Sequence, residues 1–237
     1  FIFHMLRLFL ITFFSFISCY SFGGEVVRIA LPSEGNPPYF NGDPINPAGL
    51  YVEFFDRLFS YTDLKHEYVY LSTSRIRNSF ITNEIDIECC PLKAWRADEE
   101  GISVYTSPVF KTKDILVYPQ GEKEQVTSLD GQNVATVAGY GYLDQKQFNR
   151  VDLNSELAIL RIVEGGRVEV GIVDAWIAYH LIEKHSLKVN VGRVYESANR
   201  LVRVHKNAEA IVPKLNLAIV EMNKKGELER LFNSPQL

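Results

Sequence analysis

The sequence predicts an α/β protein of two lobes, the second inserted in the first, with a hinge of two crossing segments. Three observations predict it. Strand, helix, strand, helix, strand follow one another over residues 26–90, the βαβ order of a parallel sheet. The order restarts at Val134 after a polar connector at 119–125. Composition shifts near 111–121 and returns near 194–203, so the chain crosses out and back. That layout puts a cleft between the lobes.

Taken in order, Val26-Val27-Arg28-Ile29-Ala30-Leu31 is an apolar strand, stopped by Pro32, Gly35, Pro37 and Pro38. Leu50, Val52, Phe54, Phe55, Leu58 and Phe59 recur at helical spacing and predict a helix over 50–59. Residues 66–71 alternate as a strand. Ile76, Phe80 and Ile81 form the stripe of a helix at 74–82. Residues 85–90 form a third strand, ended by Pro91. A strand at 115–118 precedes the connector, and the strand at 134–137 runs into Ala138-Gly139-Tyr140-Gly141-Tyr142. Leu157, Ile159, Leu160, Ile162 and Val163 mark a helix at 155–164, halted by Gly165-Gly166. The strand at 168–173 leads into a helix at 174–184, with Asp174 placed as its N-cap. Strands at 187–191 and 201–204, a long helix at 208–225 and a short one at 227–232 complete the chain.

Composition narrows the function. Of 237 residues, 25 are Lys or Arg and 29 Asp or Glu, a net charge of −4. Mild acidity argues against nucleic acid as a partner. Residues 1–22 hold Arg7 and no acid around an apolar run at 8–17. That is the order of a secretory signal, and the run is too short to span a bilayer. A signal peptide over 1–23, a start at Met5 and export to the periplasm are expected. Phe16-Ile17-Ser18-Cys19 is a less favoured lipid-anchor box, because Phe opens it.

Cys89 and Cys90 are adjacent, and the chain is too poor in cysteine for a disulfide framework. They are expected as buried thiols, since free cysteine packs as a small hydrophobe. His66, His180, His185 and His205 show no ligand spacing, so neither a metal nor a cofactor is expected.

One charged pair carries the functional expectation. Arg96 and Asp174 each follow a strand, far apart in sequence. Ligands of open α/β sheets sit beyond the carboxyl ends of the strands. A cation and an anion meeting there suit a small zwitterion, guanidinium to carboxylate and carboxylate to ammonium.

Several segments together resemble a known family. They are Pro37-Pro38-Tyr39-Phe40, Gly49-Leu50-Tyr51-Val52-Glu53, and Trp95-Arg96 followed by Tyr105-Thr106-Ser107-Pro108-Val109-Phe110. With them stand Gly166-Arg167-Val168-Glu169-Val170-Gly171-Ile172-Val173-Asp174 and the closing Met222-Asn223-Lys224-Lys225-Gly226-Glu227-Leu228. In order and spacing the chain is similar to the solute-binding proteins of polar-amino-acid ABC transporters, family 3. The resemblance implies a type II-like periplasmic-binding-protein fold, with lobe 1 at 24–113 and 199–237 and lobe 2 at 114–198. It implies an amino acid or analogue as ligand, an inner-membrane ABC permease as partner, and a monomer. By position Arg96 matches the carboxylate clamp, Asp174 the ammonium acceptor, and Tyr39 or Phe40 the aromatic wall. Ala138-Gly139-Tyr140 matches a second-lobe loop at a helix N-terminus, and Arg75 an arginine found in a subset of the family. Glu88-Cys89-Cys90-Pro91 departs from the family pattern, as does Tyr140-Gly141. Two rivals stay open: a dehydratase-like enzyme on the same fold with Glu88 as general acid or base, and a periplasmic sensory module.

Overall fold

The computed structural model describes residues 26–121 and 128–232. The expected signal peptide and the Cys19 box lie outside the described residues. Eight strands form one mixed sheet: β1 (Val26–Pro32), β2 (Lys65–Leu71), β3 (Ile87–Cys89), β4 (Ser103–Pro119), β5 (Asn133–Val137), β6 (Asn149–Leu153), β7 (Val170–Asp174) and β8 (Val189–His205). Their order is β2-β1-β3-β8-β4-β7-β5-β6. β1 pairs in parallel with β2 and β3, and β5 pairs in parallel with β6 and β7. These two parallel groups are the sheets of the two lobes.

β4 and β8 join them. They run antiparallel from Ser103 opposite His205 to Pro119 opposite Val189, with register breaks between Tyr105 and Phe110 and again after Asp114. β3 docks on one end of this ladder through β8, and β7 docks on the other through β4. The expected crossing segments are therefore two 17-residue strands. Midway along them Thr112 faces Ala198 and Lys113 faces Ser197.

The separate strands expected at 115–118 and 201–204, and all but the first two residues of that at 187–191, are pieces of β4 and β8. Buried polar residues hid the continuity: Thr112, Asp114 and Arg200 interrupt the apolar pattern while facing the interior. β6 (sequence NRVDL) was not expected; as an edge strand, it keeps little apolar patterning.

Helices cover the sheet. α1 (Leu50–Ser60) buries Val52, Phe54, Phe55, Leu58 and Phe59, each full burial contributing on the order of 2 kcal/mol. Its start is fixed from outside. Leu50 and Tyr51 donate their N–H groups to the carbonyls of Pro38 and Tyr39, satisfying donors that a helix leaves unpaired. Gly49 makes this approach feasible, because its φ is 126° and a Cβ there would lie 2.5 Å from the Tyr39 carbonyl oxygen. α2 (Thr73–Ile81) buries Ile76, Ser79 and Phe80. In the second lobe α3 (Glu156–Glu164) is capped by the Ser155 hydroxyl, which accepts from the Ala158 N–H. α4 (Ala175–His185) is capped by Asp174. The expected helix at 208–225 divides into a 3₁₀ segment, Lys206–Ile211, and α5 (Val212–Lys224), with Pro213 in the first turn. α6 (Glu227–Leu231) ends the described chain.

Candidate ligand cleft

The cleft lies where β4 and β8 pass between the lobes. Tyr39, Tyr51, Glu88, Cys89, Cys90, Trp95 and Arg96 line it from the first lobe. Tyr140, Tyr142, Glu156, Asp174 and Ile177 line it from the second, and Thr112, Asp114 and Arg200 from the crossing strands.

Asp174 ends β7 and opens α4. Its Oδ1 accepts the N–H groups of Trp176 (2.9 Å) and Ile177 (3.3 Å). The Tyr39 hydroxyl, from the other lobe, stands 3.2 Å from both carboxylate oxygens. A hydrogen bond thus bridges the cleft. Tyr39 is oriented by stacking on Tyr51 at 4.8 Å and on Trp176 at 6.1 Å. A second closure contact sets Gly141 against the Trp95 side chain, which a Cβ at Gly141 would meet at 2.5 Å. Burial pushes the Asp174 carboxyl up to about 7, Asp114 adds to this, and Arg200 opposes it.

Glu156 is the first residue of α3 and is buried. Burial raises its carboxyl to about 7; its own backbone N–H and the Tyr140 hydroxyl oppose the shift, and Asp174 reinforces it. Asp114 is also buried and its pKa raised for that reason, with Arg200 opposing. The Arg200 guanidinium is 3.6 Å from Asp114 and lies over the Trp95 ring at 4.7 Å. Its Nε donates to the Thr112 hydroxyl.

Arg96 reaches the cleft but is already engaged. Its Nη2 and Nε face Glu88 at 2.6 and 3.4 Å, and Nη1 donates to the Trp95 carbonyl. Burial works against its charge, yet Glu88 outweighs that and raises its pKa. Glu88 Oε2 also pairs with Arg203, which is fully buried and bonded also to Glu99 at 2.6 Å. Glu99 pairs in turn with Arg77. This network fixes the 3₁₀ segment Lys93–Ile102, whose path is interrupted at Arg96 and Glu99, the two side chains it buries. Glu88, held by two guanidinium groups, is not placed as the general acid or base that an enzyme would need.

Four expectations need correction. Phe40 is fully buried with Leu31 and Val52, against Tyr70, and does not line the cleft. Tyr39 alone of that pair turns inward. Arg75 is exposed, on the solvent side of α2, while Ile76 reaches the cleft. No helix follows the 138–140 loop: the next regular element is β6, and the N–H groups of Ala138 and Tyr140 donate to the Leu153 and Val137 carbonyls. Cys89 and Cys90 are disulfide-bonded to each other rather than free.

Arg96, Asp174, Tyr39 and Tyr140 are brought together. Sequence reasoning missed Asp114, Glu156, Arg200 and Tyr51. Asp114 and Arg200 carried a signal, being charges set against the apolar runs 115–118 and 201–204. Glu156 carried one too, as an acid next to the Ser155 cap.

The sequence profile of the bacterial extracellular solute-binding proteins, family 3, matches residues 27–234. No curated protein matches in sequence. Among solved structures, a histidine kinase sensor domain with similarity to periplasmic binding proteins shares 15% identity, over 87% of this chain and 94% of its own, at a TM-score of 0.77. The GluR0 ligand-binding core in complex with L-glutamate shares 17%, over 88% and 97%, at 0.74. A mutant of the arginine-binding protein of T. maritima shares 16%, over 87% and 93%, at 0.71. At these identities the structural likeness is one of fold.

Proposed function

Because this chain belongs to the bacterial extracellular solute-binding proteins, family 3, a family that binds rather than catalyses, we propose that it captures one small polar solute by lobe closure. The solute is an amino acid or close analogue carrying an ammonium group, and the loaded protein delivers it to an inner-membrane ABC permease. The chain acts in the periplasm as a monomer, exported by a signal peptide at 1–23. Closure turns on β4 and β8, at divisions 113/114 and 198/199. The observation that carries the reading is the Tyr39–Asp174 hydrogen bond, which joins the lobes across a cleft lined with charged and aromatic side chains. Asp174 would receive the ammonium while still capping α4.

The test is thermal melting against amino acids, their amines, organic acids and short peptides. A ligand at about 100 times its Kd stabilises by about 2.7 kcal/mol, a shift of a few degrees for a chain of this size. A shift with no member of the panel would reject the reading.

One second reading has its own support. The fold likeness to a histidine kinase sensor domain favours a sensory module that binds the same solute. Ligand-dependent stimulation of permease ATPase activity in proteoliposomes supports the transport reading; retained binding without stimulation supports the sensory one.

A further inference from the structure

We propose that the solute is a carboxylate-free organic cation, an alkyl diamine or guanidino-amine, rather than a zwitterionic amino acid. This rests on the solute-binding reading above and names its substrate class.

The places that would receive a ligand carboxylate are filled by this chain's own carboxylates. Glu88 takes the Nε/Nη2 edge of Arg96, the edge suited to a bidentate grip, and Nη1 is committed to the Trp95 carbonyl. Glu88 cannot leave without abandoning Arg203, which is wholly shut from water. In the second lobe the α3 N-terminus is occupied by the buried Glu156, whose carboxylate accepts its own backbone N–H. The N–H groups of Ala138 and Tyr140 are spent on backbone carbonyls.

Charge points the same way. Among the described residues, the cleft is lined by four carboxylates, Glu88, Asp114, Glu156 and Asp174, and two guanidinium groups, Arg96 and Arg200, with Arg203 behind Glu88. With Glu88 held by Arg96 and Arg203, the carboxylates of Asp114, Glu156 and Asp174 remain, and the one lining guanidinium left, Arg200, reaches Asp114 at 3.6 Å. A dication supplies the missing positive charge. The lining aromatic rings of Tyr39, Tyr51, Tyr140 and Trp95 suit alkylammonium groups. Burial first, and neighbouring carboxylates after it, raise the pKa values of Asp174 and Glu156.

The experiment compares matched pairs on the wild-type chain by calorimetry: lysine against 1,5-diaminopentane, ornithine against 1,4-diaminobutane, arginine against agmatine. In at least one pair the amine should bind about tenfold or more tightly than its parent. Glu156→Gln should then weaken that amine by about tenfold, with a melting curve showing that the variant is folded. An amino acid binding more tightly than its amine overturns the inference and leaves the solute-binding reading standing. Binding of neither amines nor any other solute of the panel overturns both.

Discussion

Asp114 and Asp174 stand directly opposite one another as register partners on the β4–β7 ladder. Like charges in that position repel: Asp114 adds to the burial that raises the Asp174 carboxyl, while burial raises that of Asp114. Arg200 offsets part of the repulsion from the neighbouring strand. The cleft is thus built with an excess of acid.

Stability should report that excess. Asp174 and Glu156 titrate near 7 in the folded chain, against ordinary values of 3.8 and 4.5. Between the ordinary range and about 7 the unfolded chain has released protons that the folded chain still holds. Stability therefore falls as pH rises through that window and levels off above it. His205, whose pKa burial lowers against the opposing pull of Asp86, works in the opposite direction below 6.5. Glu156→Gln keeps the His205 contribution, so from about pH 5 to about pH 7 its Tm should fall less than that of the wild type. Equal slopes would reject the assignment.

Glu88 should contribute strongly to stability. Glu88→Ala leaves the buried guanidinium groups of Arg96 and Arg203 without their shared partner. Breaking such a pair costs about 3–5 kcal/mol, read as a lower urea midpoint. A change below about 1 kcal/mol would place Glu88 among surface-like pairs instead.

Closure should be sensitive to one methyl group. In Gly141→Ala the new Cβ meets the Trp95 side chain of the other lobe, and overpacking of this kind costs about 1–3 kcal/mol. Ligand affinity should drop by roughly ten- to a hundred-fold, while the Tm of the ligand-free chain changes little. Unchanged affinity would mean that the bound state does not bring Gly141 onto Trp95.

The cysteine pair should resist labelling. Denatured without reductant, the peptide carrying Cys89 and Cys90 should take up no iodoacetamide; after dithiothreitol both sulfurs should be alkylated. Full labelling before reduction would show free thiols.

Much of the fold was legible because it rests on local periodicity. The apolar stripe of α1, the apolar run of β1 and the Asp174 cap are short-range patterns, set by helical and strand repeats within a few residues. The same patterns set Arg96 and Asp174 after strands; both line the cleft, Arg96 from the 3₁₀ segment and Asp174 from the end of β7.

The sequence by itself determined the α/β order, the two crossings and the presence of a charged cleft, since each follows from neighbouring residues. Only the tertiary structure decided what those charges do. Glu88 meets Arg203 across β3 and β8, 115 positions apart, and Asp114 meets Asp174 across β4 and β7. Pairings over such separations depend on strand register, which no local window contains. Register set Arg203 against Glu88, which also holds Arg96, and set Asp114, the partner of Arg200, against Asp174. Electrostatic energy depends on distance and burial, and both are properties of the folded chain.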